Sequence, residues 1–211
     1  MGAEPKLICV TGPDGAGKTT QIGRIAKGLE KQGKQKVIPV TVWDLLIDPA
    51  SKGRVPFRSP REVDLYLQIL GSTPRALFLY HCFYQALEMA RGRNPSALLV
   101  NAYWYKYFAT EVAHGGDTSL LLRLAEIFPE PAITFYLRVT PEEAFRRKAS
   151  LSGYETGFSS NKSEEAFVAF QRRSTAVLDE LARERGWIEL NGNESPESLT
   201  ELIVKRIDSE V

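Results

Sequence analysis

The sequence predicts an α/β fold built on a parallel sheet. Three observations carry this: short apolar runs alternate with stretches of helical period, a glycine-rich turn joins the first run to the first helix, and the length suits one core. The 211 residues are expected to form a single domain over 1–211. Lys and Arg number 27 against 26 Asp and Glu, so no charge excess recruits nucleic acid or an anionic membrane. Cys9 and Cys82 are the only cysteines and form no C-x-x-C, which points to buried free thiols in a reducing compartment. No apolar run approaches the ~18 residues of a membrane span. The N-terminal residues lead straight into the first strand with no signal peptide, so the expected setting is cytoplasmic.

The first element is the apolar run Leu7-Ile8-Cys9-Val10, a buried strand over 7–11. The turn after it, Gly12-Pro13-Asp14-Gly15-Ala16-Gly17-Lys18-Thr19, fits the phosphate-binding pattern G-x-x-x-x-G-K-[ST]. A helix over 20–31 follows, with Ile22, Ile25, Ala26 and Leu29 on one face. Strand, glycine loop and helix together give the pattern its chemistry. The glycines let backbone N–H groups turn toward phosphate oxygens, and the helix N-terminus adds free donors. Gly12, Asp14, Gly15, Ala16, Gly17, Lys18, Thr19 and Thr20 are the expected ATP-binding residues. Lys18 would reach the β- and γ-phosphates, and the Thr19 hydroxyl would ligate Mg²⁺.

Further strands are expected over 36–42, 97–101, 133–138 and 187–190, and helices over 61–71 and 73–91, the latter ended by Asn94-Pro95. Thr140-Pro141-Glu142-Glu143 is a helix start with a capping box, and Ser195-Pro196-Glu197 starts the last helix. A Pro- and Arg-containing loop over 53–60 is expected to lie over the site. Residues 153–162 hold small and polar residues with little apolar periodicity; the segment 150–163 is read as a flap that closes over ATP, with an ordinary surface connection as the alternative.

Several residues could add chemistry. Asp14 could orient an acceptor hydroxyl or only stabilise the turn and the helix start. Asp44 follows a strand that should finish beside the phosphate loop, where ligands bind in open parallel sheets. It is a candidate metal organiser or general base; the alternative is a loop-start carboxylate accepting backbone donors. Tyr103-Trp104-Tyr105-Lys106-Tyr107-Phe108 follows the third strand, with Tyr103 and Lys106 as candidate pocket residues and a core-packing helix as the alternative. His81 and His114 lack partners at metal-ligand spacing and are read as structural or surface residues.

The segment TGPDGAGKTTQ at 11–21 resembles the phosphate loop of thymidylate kinases. ITFYLRVTPEEAFRRK at 133–148 is similar to that family's fourth strand and its following helix, and Phe170-Gln171-Arg172, 178–182, 187–191 and 195–197 match its closing elements. The resemblance implies a P-loop NTPase fold, a five-stranded parallel sheet with helices on both faces, ATP with Mg²⁺, and a homodimer. It implies transfer of the ATP γ-phosphate to a nucleoside monophosphate, dTMP by default. From the same resemblance, Arg146, Arg147 or Lys148 approaches ATP, with Arg146 taken as catalytic and Arg147 as ATP-binding, and Arg172 reaches inward.

The departures fall in the acceptor half. The family's Asp-Arg-Tyr reads Asn101-Ala102-Tyr103 here, a second family arginine falls at Phe83, and its base-stacking aromatic falls at Phe78 or Leu79. Val42-Trp43-Asp44-Leu45 replaces an Arg-Glu-Pro-Gly-Gly segment, and Lys162 is the only basic residue of the expected flap. Compensating charge is sought from Asp44, Arg54, Arg58 or Lys106. The alternative is an ATP-binding module with impaired catalysis, acting through conformation or partners; an NTP-hydrolysing switch is the weaker third reading.

Overall fold

A computed structural model describes residues 4–31, 36–47, 57 and 59–210. Five strands, β1 (Lys6–Thr11), β2 (Val37–Val40), β3 (Ala97–Asn101), β4 (Ile133–Arg138) and β5 (Ile188–Asn191), form one sheet in the order β2-β3-β1-β4-β5. Every pairing is parallel. All five expected strands are present, with β2 shorter at both ends and β5 displaced by one residue. Trp187 leaves β5 because its N–H donates to Ala182 O at the end of the preceding helix.

Alternation along β1 splits the core in two. Leu7 and Cys9 face one side of the sheet, Ile8 and Val10 the other. The Ile8 side packs against α1 (Lys18–Lys31), α7 (Pro141–Arg146) and α9 (Pro196–Glu210), through Ile22, Ile25, Ala144 and Ile203. The Cys9 side is covered by α4 (Ser72–Arg91), α5 (Tyr103–Ala113) and α8 (Glu164–Arg185), through Leu79, Phe83, Phe108 and Leu178. Helices α2 (Asp44–Ile47), α3 (Pro60–Ile69) and α6 (Thr118–Ala125) complete the chain. This is the expected α/β P-loop architecture. Cys9 and Cys82 are buried free thiols, and burial pushes both pKa values up, that of Cys82 to about 12.

The helix starts follow their signals. Thr140 Oγ1 accepts the Glu143 N–H, and Ser195 Oγ accepts the Ser198 N–H. The Glu143 carboxylate pairs with Arg146 and Arg147. The short α2 carried too few residues to show a period.

A buried ion pair ties α4 to α5. Arg75 Nε donates to Glu111 Oε1 at 2.8 Å, and the same guanidinium donates to Leu67 O and Leu70 O. Tyr154 O–H donates to the same Glu111 oxygen at 2.9 Å. Tyr154 begins a single 3-10 turn (Tyr154–Thr156) inside the segment expected as a flap. That turn is anchored: Tyr154 and Thr156 are buried, and Gln171 Nε2 donates to Glu155 O. The exposed residues of the segment are Ser150 at its start and 160–162. Among the described residues no helix is long and apolar enough to cross a membrane.

Candidate active site

The glycine loop lies at the carboxyl end of β1, between β4 and α7. Gly12 has φ +149° and Gly15 φ +86°, and a Cβ would sit 2.6 Å from Leu137 O at Gly12 and 2.5 Å from Ala144 O at Gly15. The backbones of β4 and α7 thus press on the loop where no side chain fits. Helix α1 opens at Lys18, with Thr19 and Thr20 exposed in its first turn and Ala16 buried beneath. Lys18 Nζ donates to Pro13 O at 2.7 Å and folds back over the loop. Burial lowers the Lys18 pKa to about 8, with Lys106 and Lys148 pushing the same way and Asp14 opposing them.

Lys106 of α5 pairs with Asp14 at 3.1 Å, and the two side chains keep only 11% and 14% of their exposure. Burial works against the Asp14 charge, yet Lys106, Lys18 and Lys148 together hold its carboxyl below the usual range. The Lys106 ammonium also lies 5.0 Å from the centre of the Tyr154 ring. Lys148 Nζ donates to Glu155 Oε1 at 2.5 Å. Three lysines and two carboxylates therefore gather around the phosphate loop.

On the other flank, Asn101 Nδ2 donates to Thr19 Oγ1 at 3.2 Å, while Asn101 Oδ1 is buried without a hydrogen-bond partner among the described residues. A neutral amide thus stands beside the hydroxyl expected to meet a metal. The next two residues, Ala102 and Tyr103, have φ +70° and +56°. Such strained backbone clusters at functional sites. It is held by Ala102 N–H to Val10 O and by the Thr11 hydroxyl to Ala102 O.

Asp44 serves the turn ahead of α2. Both its oxygens accept from Thr41, one from the N–H and one from the hydroxyl, each at 2.8 Å. The carboxylate expected to organise the metal is engaged in the structural role held as the alternative. Burial raises the Tyr107 pKa, and Asp14 and Asp44 both push it further.

Four other expected site residues have partners of their own. Phe83 is fully buried within an aromatic cluster of Tyr103, Tyr107 and Phe128, so it lines no pocket. Tyr103 is equally buried, and its hydroxyl donates to Pro129 O inside the fold. Arg146 is 69% exposed and pairs with Glu143 on its own helix. Arg172 is 67% exposed and pairs with Glu142 instead of reaching inward.

Arg147 joins α7 to the loop after β5, donating to Gly192 O and Asn193 Oδ1. Phe78 is half-buried in a trio with Phe57 and Tyr66. Arg54, Arg58 and most of the 53–60 loop lie outside the described residues. His114 stacks among Tyr154, Phe158 and Phe170, and burial lowers its pKa to about 3. Among the described residues no group of three or more His, Cys, Asp or Glu could hold a metal.

Sequence reasoning missed Glu155 and the Arg75–Glu111 pair, and named Lys148 only as one of three basic residues. Three consecutive basic residues advertised a cation at 146–148, but only the exact end of α7 decides which of them turns inward.

No protein-family model matches the chain. A probable thymidylate kinase of Archaeoglobus fulgidus is 29% identical over 178 residues, 82% of this chain and 86% of the relative. A probable thymidylate kinase of Sulfurisphaera tokodaii is 26% identical over 97% of both chains. The thymidylate kinase of Chlorobaculum tepidum is 26% identical over 90% of this chain and 85% of its own length.

Proposed function

We propose that this chain, a divergent relative of the thymidylate kinases, transfers the γ-phosphoryl group of ATP to a nucleoside monophosphate, with dTMP as the default acceptor. The observation that carries the proposal is the Lys106–Asp14 pair at the acceptor side of an intact phosphate loop. It supplies buried positive charge where the acceptor arginines of the resembled family are replaced by Ala102 and Phe83.

Each residue takes a role its surroundings permit. The loop N–H groups and Lys18 hold the β- and γ-phosphates. Lys106 leaves Asp14 to hold the acceptor phosphate, and Arg147 covers the nucleoside end of ATP from beside Asn193. An acceptor phosphate oxygen forms a bond to the γ-phosphorus as the bond from phosphorus to the β,γ-bridging oxygen breaks. The leaving electron pair stays on ADP, so no proton need move. Catalysis on this scheme is positioning and charge stabilisation.

Thr19 Oγ1 and the unpartnered Asn101 Oδ1 suit a hard cation that takes oxygen ligands. When bound, Mg²⁺ neutralises charge across the β- and γ-phosphates. A homodimer belongs to the same proposal, as an implication of the family resemblance.

A second reading, an ATP-binding module with impaired turnover, is favoured by the neutral Asn101 and the absent guanidiniums. One experiment separates them: ATP consumption by the purified protein across nucleoside monophosphates and nucleosides. Acceptor-dependent ADP formation supports the kinase. ATP binding without turnover on any acceptor supports the module.

A further inference from the structure

We infer that Tyr154 is a positioning residue for the acceptor: its ring holds the Lys106 ammonium in place, and the buried Arg75–Glu111 pair holds the ring. This rests on the kinase reading above and adds to it the device that orders Lys106.

An ammonium stands in for a guanidinium only if something fixes it. Arginine brings a planar fork already arranged for phosphate, whereas lysine brings a point charge on a flexible stem. The Lys106 ammonium lies 5.0 Å from the centre of the Tyr154 ring and 5.3 Å from that of Tyr107, both within cation–π range. Asp14 is its ionic partner at 3.1 Å. The lysine meets these rings largely out of water, where such contacts are strongest.

The two rings differ in what holds them. Tyr107 follows Lys106 directly on α5 and moves with it. Tyr154 arrives from the 3-10 turn after α7 and is fixed by other elements. Its hydroxyl donates to Glu111 Oε1 at 2.9 Å, the same oxygen that accepts Arg75 Nε at 2.8 Å. Arg75 is held in turn by Leu67 O and Leu70 O, and its guanidinium carbon lies 4.6 Å from the centre of the Phe158 ring. His114 stacks on the Tyr154 ring at 5.6 Å.

Helix α5 thus supplies both what Tyr154 holds and what holds Tyr154. Lys106 and Glu111 stand about a turn and a half apart on it. Tyr154 bridges them, its hydroxyl on the carboxylate and its ring beside the ammonium. A tyrosine suits this because it joins a π face to a polar tip. A buried ion pair adds little net stability but fixes the groups it touches, and the group touched here is Tyr154.

The test separates the electrostatics of the ring from its bulk. Tyr154 is replaced by phenylalanine and then by phenylalanine with one, two and three ring fluorines, which drain the π face at nearly constant shape. The full chain is titrated by calorimetry with a panel of nucleoside monophosphates, and the one bound most tightly is carried forward. Its Kd should rise stepwise with fluorine number, by about fivefold or more across the series, while a non-hydrolysable ATP analogue changes less than twofold. In a Lys106→Met background the same series should be flat. If Tyr154→Phe does not fold, ring-fluorinated tyrosines at the same position, which keep the hydroxyl, give the same comparison. A Kd indifferent to fluorine number, or a rise that persists without Lys106, overturns the inference and leaves the kinase reading standing. A wild-type protein that binds no nucleoside monophosphate overturns both.

Discussion

The Lys106 ammonium of α5 lies 3.1 Å from the Asp14 carboxylate of the phosphate loop, across 92 residues of sequence. The pair joins the phosphate loop to α5. It also makes the Asp14 charge dependent on a residue outside the loop.

Lys106→Met should therefore act on the acceptor and spare ATP. The expected outcome is a KM for the acceptor raised about tenfold or more, from the loss of a charged hydrogen bond, with ATP affinity changed less than threefold. Steady-state kinetics with each substrate varied in turn checks this. An unchanged acceptor KM would remove Lys106 from the pocket.

Lys18 should give the site a pH signature. Burial lowers its pKa from 10.5 to about 8, so between those values the folded protein binds fewer protons than the unfolded chain. Its contribution to stability therefore rises with pH across that window, and the cost of the buried charge is fully present below it. Above pH 8 the empty site holds a partly neutral Lys18, and ATP should restore its proton. Calorimetry at pH 8.5 in buffers of different ionisation enthalpy should show proton uptake on ATP binding, and Lys18→Met should abolish it.

Asn101→Asp places a carboxylate beside the Thr19 hydroxyl, where an amide now donates. Mg²⁺ commonly uses one or two carboxylates along with phosphate oxygens, so the substitution should lower the Mg²⁺ concentration needed for half-maximal activity several-fold. A titration that superimposes on wild type would place the metal away from Asn101.

Asp44→Ala should be a stability variant. It removes both acceptors for Thr41 ahead of α2, a loss of about 1 kcal/mol on the scale of helix caps. Urea unfolding should report that loss, while turnover per folded molecule should stay within about twofold. A hundredfold fall in turnover would restore Asp44 as a general base.

Glu111→Ala should be the most damaging substitution away from the loop. It leaves the Arg75 guanidinium buried and frees Tyr154 from its acceptor. Breaking a buried ion pair from one side costs about 3–5 kcal/mol, which a shifted urea midpoint would show.

The sheet was legible because its strands are short and apolar, as at Leu7 to Val10 and Ile133 to Leu137. The phosphate loop was legible because it is one contiguous motif. What stayed hidden depends on helix phase. Helix α4 buries Arg75 in line with Leu79, Phe83 and Leu87, so its sequence does not separate a core-facing residue from a ligand-facing one. An alignment to a family arginine therefore placed Phe83 in a pocket that the packing does not provide. Arg172 shows the opposite limit, because a motif match fixes a position along the chain but not the direction in which a long side chain leaves the helix. Glu111 gave no signal at all, since a glutamate on an aromatic helix reads as its solvated face until Arg75 is seen opposite.

The cluster around the loop also bears on how an anion arrives. Asp14 already accompanies Lys106, and Glu155 already accompanies Lys148. Among the described residues, an incoming phosphate thus trades places with carboxylates and meets no bare cationic funnel. Long-range attraction, which falls off over about 8 Å at physiological ionic strength, has little unbalanced charge to act on here. The association rate for nucleotide should accordingly vary little with added salt, and the final contacts should set the affinity through dissociation.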